Sequence, residues 1–393
     1  MSFDGIIGHL GAFGGNLAGY LVPFLFVLTI VVFFHELGHF LVARLCGIKV
    51  LTFSIGFGPE IIGFYDRYGT RWKISAVPLG GYVKFLGDEN AASKPDHEAA
   101  ASMTDEEKAV SFIHKSVGPR AAVVAAGPIA NFILAIAIFA GVFMIFGKQT
   151  TSARVDTVQP ASAAQAAGFQ PGDLVVAING ENIDSFAEMQ RIVSINAGDP
   201  LAIEVERGGV HLTLKATPEL KELKDKFGNV QRLGVLGISR SMAPGDIKTE
   251  KVGPLRAIVM AVQRTWYVID RTGSYIGGIF TGRESADQLG GPIRIAQVSG
   301  QVATAGFVPL IELTAVLSIS IGLLNLFPIP LLDGGHLLFY GIEAIRGRPL
   351  PEQAQEVGFR VGFVLVLLLM GFAMRNDLCQ WTWFTKTGIC SAS

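Results

Sequence analysis

The alternation of apolar and polar stretches divides the chain into membrane-length runs and one soluble block. An apolar run from Leu21 to Leu45 is long enough to cross a hydrocarbon core as a helix. A second, Arg120 to Phe146, contains Pro128 and Asn131, which point to packing against protein rather than lipid. A third begins near Val308 and is broken by Pro328 and Pro330, and a fourth covers Val357 to Met374. Met1 to Tyr20 is Gly-rich and reads as a short tail. From Thr150 to Pro218 the chain turns soluble: Val155–Val158 and Leu174–Ile178 have strand character, Ser162–Ala167 and Ser185–Ile195 helical character. Glu219 to Lys251 lacks apolar periodicity and reads as a connector. Leu255, Ile258, Val259, Val262, Trp266 and Ile269 then recur at helical spacing opposite Arg256, Gln263, Arg264 and Asp270. That face fits a helix lying on a membrane surface, a buried amphipathic helix being the other reading. The pattern gives four parts: residues 1–149, 150–218, 219–306 and 307–393.

Composition agrees with a polytopic α-helical membrane protein of about four spans. Half the residues are hydrophobic, 17% are charged, and mean hydropathy is +0.44. A net charge of -1 offers no field for nucleic acid. Arg44, Lys49, Arg67, Arg71, Lys73 and Lys84 crowd the stretch after the first span, and Arg346, Arg348 and Arg360 mark the loop and entry of the last. Positive residues favour the cytoplasm, so these stretches lie inside and both termini outside. No cleavable leader is expected, because the first twenty residues hold no Lys or Arg. Cys46, Cys379 and Cys390 form no metal-binding or redox pair motif; Cys379 and Cys390 would share the oxidising side, at a spacing that permits a disulfide.

One stretch of the first run is chemically out of place. His35-Glu36-Leu37-Gly38-His39 sets three ionisable groups inside a membrane segment, where each is costly. On a helix the two histidines, four apart, share a face and can grip one metal ion. Glu36 beside them can take a proton from an activated water, as in HExxH zinc metalloproteases. His35 lies about 14 residues into the span, roughly 20 Å at 1.5 Å per residue, beyond the midplane and nearer the cytoplasm.

Two histidines leave zinc a protein ligand short. Asp333 follows the doubly broken stretch Asn325-Leu326-Phe327-Pro328-Ile329-Pro330-Leu331-Leu332, at matching depth, and is the expected third ligand; capping of the following helix is its other role. Asn325 offers an amide to a substrate carbonyl or its oxyanion. Asn131 has two readings, a substrate contact and a helix–helix hydrogen bond. His336 is expected to pack or bond locally.

Between the first two spans, the turn Gly56-Phe57-Gly58-Pro59 precedes three short β-like runs, Ile61–Tyr65, Trp72–Val77 and Gly81–Leu86, separated by a polar turn at Asp66 to Thr70 and by Pro78-Leu79-Gly80. They suit either a sheet edge for an extended peptide or a plain hairpin. Ala166-Ala167-Gly168-Phe169-Gln170-Pro171-Gly172-Asp173-Leu174, followed by Ile178-Asn179-Gly180, looks like a bacterial PDZ domain, a fold that accepts extended peptides; a spacer role is the alternative.

Taken together, the HExxH run, Gly56 to Pro59, Pro78-Leu79-Gly80-Gly81-Tyr82, Gly127-Pro128-Ile129-Ala130-Asn131, the PDZ-like run and Asn325 to His336 resemble the site-2 protease family over nearly the whole chain. The resemblance implies Zn2+ held by His35, His39 and Asp333, with Glu36 as base. It implies a membrane-associated β-element around Gly80, Gly81 and Tyr82 that clamps substrate. The implied setting is a bacterial inner membrane, with one inserted PDZ domain in the periplasm and the active site toward the cytoplasm. Implied substrates are single-pass membrane proteins with shortened ectodomains, such as anti-sigma factors or remnant signal peptides. Better-known enterobacterial members carry two tandem PDZ domains, and the sequence here has room for one. Two rivals stand beside the protease: a PDZ membrane scaffold with structural zinc, and an ion transporter. A structural site has no use for Glu36, and a transporter would want more acidic residues than Glu312 beside Asp333.

Overall fold

A computed structural model of the chain describes residues 3–88, 102–224, 230–240, 247–282, 286 and 289–379. It divides into two compact units, residues 1–142 with 255–393, and residues 143–254.

In the first unit α1 (Phe3–Leu45) is followed by strands β1 (Val50–Tyr65) and β2 (Arg71–Phe85), then α2 (Asp105–Val110) and α3 (Val117–Phe146). After the second unit come α6 (Pro254–Phe280), α7 (Pro292–Thr304), α8 (Phe307–Asn325), α9 (Asp333–Arg346) and α10 (Glu352–Cys379). Among the described residues, four segments are long and apolar enough to cross a membrane: Ala18–Leu45 of α1, then α3, α8 and α10. This fits a polytopic membrane protein. The expected tail before Leu21 is instead continuous with the first helix, which begins at Phe3; the glycines there do not interrupt it.

Small residues let the helices meet. A Cβ at Gly38 would strike the Ala126 carbonyl on α3, and one at Gly322 would sit 3.1 Å from the Pro128 carbonyl. Val27 and Val31 of α1 bury against Leu310 of α8. A part-buried ion pair at 2.6 Å joins Arg120 of α3 to Glu343 of α9, with the guanidinium 4.8 Å over the Tyr340 ring.

β1 and β2 form one long antiparallel hairpin rather than three short runs. Register shifts place Phe53 opposite both Val83 and Trp72, and Ile55 opposite both Gly81 and Ile74, so the hairpin doubles back on itself. The sequence reads Gly56 to Pro59 and Pro78 to Gly80 as turns, yet the strands continue through them as irregularities that bend the ribbon. Phe40, Phe53 and Trp72 stack to seat the hairpin on α1. Asp66 pins its tip, accepting from the Tyr68 and Thr70 amides and from Trp72 Nε1. Ile61, Ile62, Phe64 and Tyr65 stand exposed there.

α6 carries the amphipathic pattern. Ala257, Ala261 and Thr265 are buried, while Leu255, Ile258, Val259, Val262 and Trp266 face outward. α10 is the least embedded span, with 6% of its apolar window buried. Its Asp377 is an exception: Oδ1 accepts from the Gly291 amide at 2.8 Å and Oδ2 from the Arg294 amide at 3.1 Å. The carboxylate thus caps α7, whose own N-cap, Gly291, has no side chain. Asp377→Ala should cost about 1–3 kcal/mol by stranding buried donors, whereas Asp377→Asn keeps an acceptor. Thermal melting in detergent checks this, and an unshifted alanine variant would remove the argument.

The second unit contains β3 (Lys148–Thr151), β4 (Thr157–Val158), α4 (Ala163–Ala166), β5 (Leu174–Ile178), β6 (Glu181–Asn182), α5 (Phe186–Ile195), β7 (Leu201–Arg207), β8 (Val210–Ala216), β9 (Glu219–Lys224), β10 (Val230–Val235), β11 (Ile238–Ser239) and β12 (Ile247–Glu250). Its four-stranded sheet has the order β6-β5-β7-β8. Asn179 and Gly180, both at positive φ (51° and 81°), make the tight turn between β5 and β6. Ser162 and Ser185 cap the two helices. Val155, Phe169, Val175, Ile178, Ile203 and Val205 are at the centre of the core. Burial alone would raise the Asp173 carboxyl, but hydrogen bonds from Arg207 and the Gln170 amide outweigh it and hold the group below its ordinary range. The stretch read as a connector from Glu219 onward carries β9 to β12 instead, with β11 on β4 and β12 on β3 closing the unit. These strands are too short and polar to leave a periodic signal.

Candidate metal centre

α1 presents His35 and His39 on one face, and the end of the broken segment brings Asp333 to them. The two Nε2 atoms lie 3.3 Å apart. Asp333 Oδ2 is 3.2 Å from His35 Nε2, and Oδ1 is 3.6 Å from His39 Nε2. Tetrahedral zinc with bonds of about 2.0–2.1 Å would separate its donors by roughly 3.3 Å. The three side chains are largely buried, with 12% exposure for each imidazole and 17% for the carboxylate. Two imidazoles and a carboxylate turned inward at this spacing suit one shared cation.

The local sequence explains the placement of Asp333. α8 ends at Asn325, and after two prolines α9 restarts at Asp333. A Cβ at Gly334 would collide with the Leu326 and Phe327 carbonyls, and one at Gly335 with Ile329 and Pro330, so the Asp-Gly-Gly sequence lets the new helix close on the loop. Leu331 holds φ at 106°, a conformation unfavourable to residues other than glycine, two positions before the carboxylate. Asp333 lies in the first turn and makes no cap; the N-cap Leu332 has no side-chain bond.

Glu36 lies against the hairpin, within electrostatic reach of the Val83 amide. The strand approaches closely because Gly81 has no side chain: a Cβ there would lie 2.8 Å from the Ser54 carbonyl and 3.0 Å from Glu36 Cγ. Gly80 adopts φ 146°, and the Phe57 ring occupies the space a side chain would need.

A cavity of about 690 Å³ gathers these groups. His35, Glu36, His39, Gly80, Gly81, Tyr82, Asn325 and Asp333 all line it. Asn131 does not; it stands behind His35, its amide 3.2 Å from Nδ1. His336 also lines the cavity, with its ring against Phe359. Its position one helical turn after Asp333 was a signal for this.

A support for the histidines that the sequence leaves unread comes from α3. His39 Nδ1 meets the Val123 carbonyl at 2.8 Å, and a Cβ at Gly127 would collide with His39 Nε2. Gly127→Ala should therefore destabilise the protein by about 1–3 kcal/mol through overpacking. Gly141→Ala on the same helix meets open space and should be neutral or stabilising. Melting curves of the two variants check this, and equal behaviour would contradict it.

The model of peptidase family M50 matches residues 23–369. The chain belongs to that family, the site-2 proteases. A protein of Agrobacterium fabrum with a provisional zinc metalloprotease name is 53% identical over 364 residues, covering 93% of this chain and 97% of its own. Metalloprotease MmpA of Caulobacter vibrioides is 42% identical over 390 residues, with 94% and 97% coverage. Regulator of sigma-E protease RseP of Escherichia coli is 33% identical over 457 positions, with 92% and 98% coverage. That last alignment is longer than this chain of 393 residues. The 92% of this chain that aligns is about 362 residues, so roughly 95 of those 457 positions face no residue here, the size of a small domain.

Proposed function

We propose that this M50 peptidase is a zinc-dependent intramembrane endopeptidase that cleaves the spans of single-pass membrane proteins in regulated intramembrane proteolysis. The observation that carries the reading is the convergence of Asp333 with His35, His39 and Glu36, three residues of a membrane-length helix, in one cavity. His35, His39 and Asp333 would hold zinc, and Glu36 would serve as base. When bound, zinc supplies Lewis acidity, which activates water and polarises a carbonyl.

The chain's own groups do the remaining work. Glu36, beside the hairpin, accepts the proton of the attacking water and returns it to the leaving nitrogen. The Asn325 amide donates to the scissile carbonyl as charge develops. A transmembrane substrate hides that carbonyl in its helical hydrogen bonds, so it must unwind before attack. The edge of β2 at Gly80, Gly81 and Tyr82, which line the cavity, offers replacement backbone partners to an extended strand.

The second unit is read as a PDZ domain in the periplasm, taking a peptide or substrate segment in the groove beside α5. One such domain, against the longer RseP, argues for a single-module filter. The outward face of α6 and the hairpin tip are read as lying in lipid. The setting is a bacterial inner membrane, with both termini periplasmic and the metal toward the cytoplasm. Anti-sigma factors and remnant signal peptides are the substrate classes. Cys46 is a free thiol and Cys379 is disulfide-bonded; Cys390, its expected partner, lies outside the described residues.

Reconstitution tests the reading. Purified protein with zinc should cut a single-pass substrate with a short ectodomain at a bond inside its span, and stop when a chelator is added. Zinc-loaded protein that cuts no member of a panel of such spans would favour the scaffold.

A further inference from the structure

We infer that Asn131 fixes the tautomer and aim of His35 by accepting from its Nδ1–H, and that it is a positioning residue rather than a substrate contact. The inference rests on the proposed ligand set. If His35 Nε2 ligates the metal, a neutral imidazole must carry its proton on Nδ1. That buried N–H then needs an acceptor, and the Asn131 amide is 3.2 Å away. The amide's two ends exchange by a half-turn, and the bonding partner decides which faces inward. With Nδ2 toward His35, Oδ1 is buried and accepts no hydrogen bond from the described residues, so no donor among them holds it away. Turning Oδ1 toward Nδ1–H gives donor and acceptor their proper partners.

Three further observations support the assignment. Asn131 is fully buried, and its carbonyl accepts from Ser318 at 2.9 Å, so the backbone is fixed at this point. It is absent from the cavity lining, out of a substrate's reach. The same helix face treats the other histidine alike: the Val123 carbonyl takes His39 Nδ1, and Gly127, between the two, leaves room for both rings. Residues 123, 127 and 131 are spaced four apart and form one stripe of α3. That stripe orients the imidazole pair.

The test compares full-length Asn131→Leu, Asn131→Ala, Asn131→Asp and His35→Ala in detergent. Zinc affinity is read by chelator competition, and ligand geometry by the visible absorption of Co2+-loaded protein. Leucine and alanine should weaken zinc binding 10- to 100-fold and shift the Co2+ bands. Aspartate, which keeps an oxygen acceptor, should restore both. Alanine serves should leucine perturb the helix pair, and melting curves identify that case. Wild-type zinc affinity and Co2+ spectrum in both apolar variants would overturn the inference, and loss of cleavage alongside them would return Asn131 to the substrate. Wild-type zinc affinity in His35→Ala would instead show that the ligand set itself is wrong.

Discussion

Glu36→Gln should retain a full complement of zinc and lose cleavage by about 10²- to 10⁴-fold, the range of a removed general base. Glutamine matches glutamate in size and can still hydrogen-bond, so the cavity keeps its shape. It cannot take a proton from water. Glu36 is not one of the three groups whose donor atoms converge, and so its loss should spare the metal. Metal analysis and a timed assay on one preparation separate the two effects. Full cleavage by the zinc-loaded variant would remove Glu36 from the mechanism; loss of zinc would make it a ligand.

Asp333→Ala should have the opposite signature. It removes the only carboxylate in the converging set and leaves two imidazoles facing each other 3.3 Å apart. Zinc affinity should fall more than the roughly 10- to 100-fold typical of residues that only orient a ligand. Activity should return in part when zinc is raised, a rescue that Glu36→Gln cannot show. The fold should survive, since Asp333 caps no helix and α9 remains tied to α3 through Arg120 and Glu343. Unchanged zinc binding would disprove ligation.

The candidate metal centre, the convergence of His35, His39 and Asp333, is largely legible in the sequence because its chemistry is local. Two histidines at helical spacing, and an aspartate after two prolines, conflict with their apolar surroundings on any reading. The supports were less legible because they are backbone atoms or gaps. Nothing about Val123 marks its carbonyl as a histidine's partner, and Gly127 contributes only by lacking a side chain. The hairpin misled for a related reason: Gly56, Gly58, Pro59 and Pro78 carry turn chemistry, but here they bend continuous strands. Asp377, a charge near the end of an apolar helix, gave no hint that it closes α7, which lies far away in the sequence.

The approach of β2 to Glu36 at Gly81 and Val83 ties two proposed jobs to one strand. If a substrate pairs along β2, its alignment is counted from the strand that also adjoins the proposed base. Side chains alternate faces along a strand, so slipping one position would present the wrong side of the substrate to the cavity. Such an enzyme measures its cut by counting residues from a fixed mark, with little need to read the letters on either side of the bond.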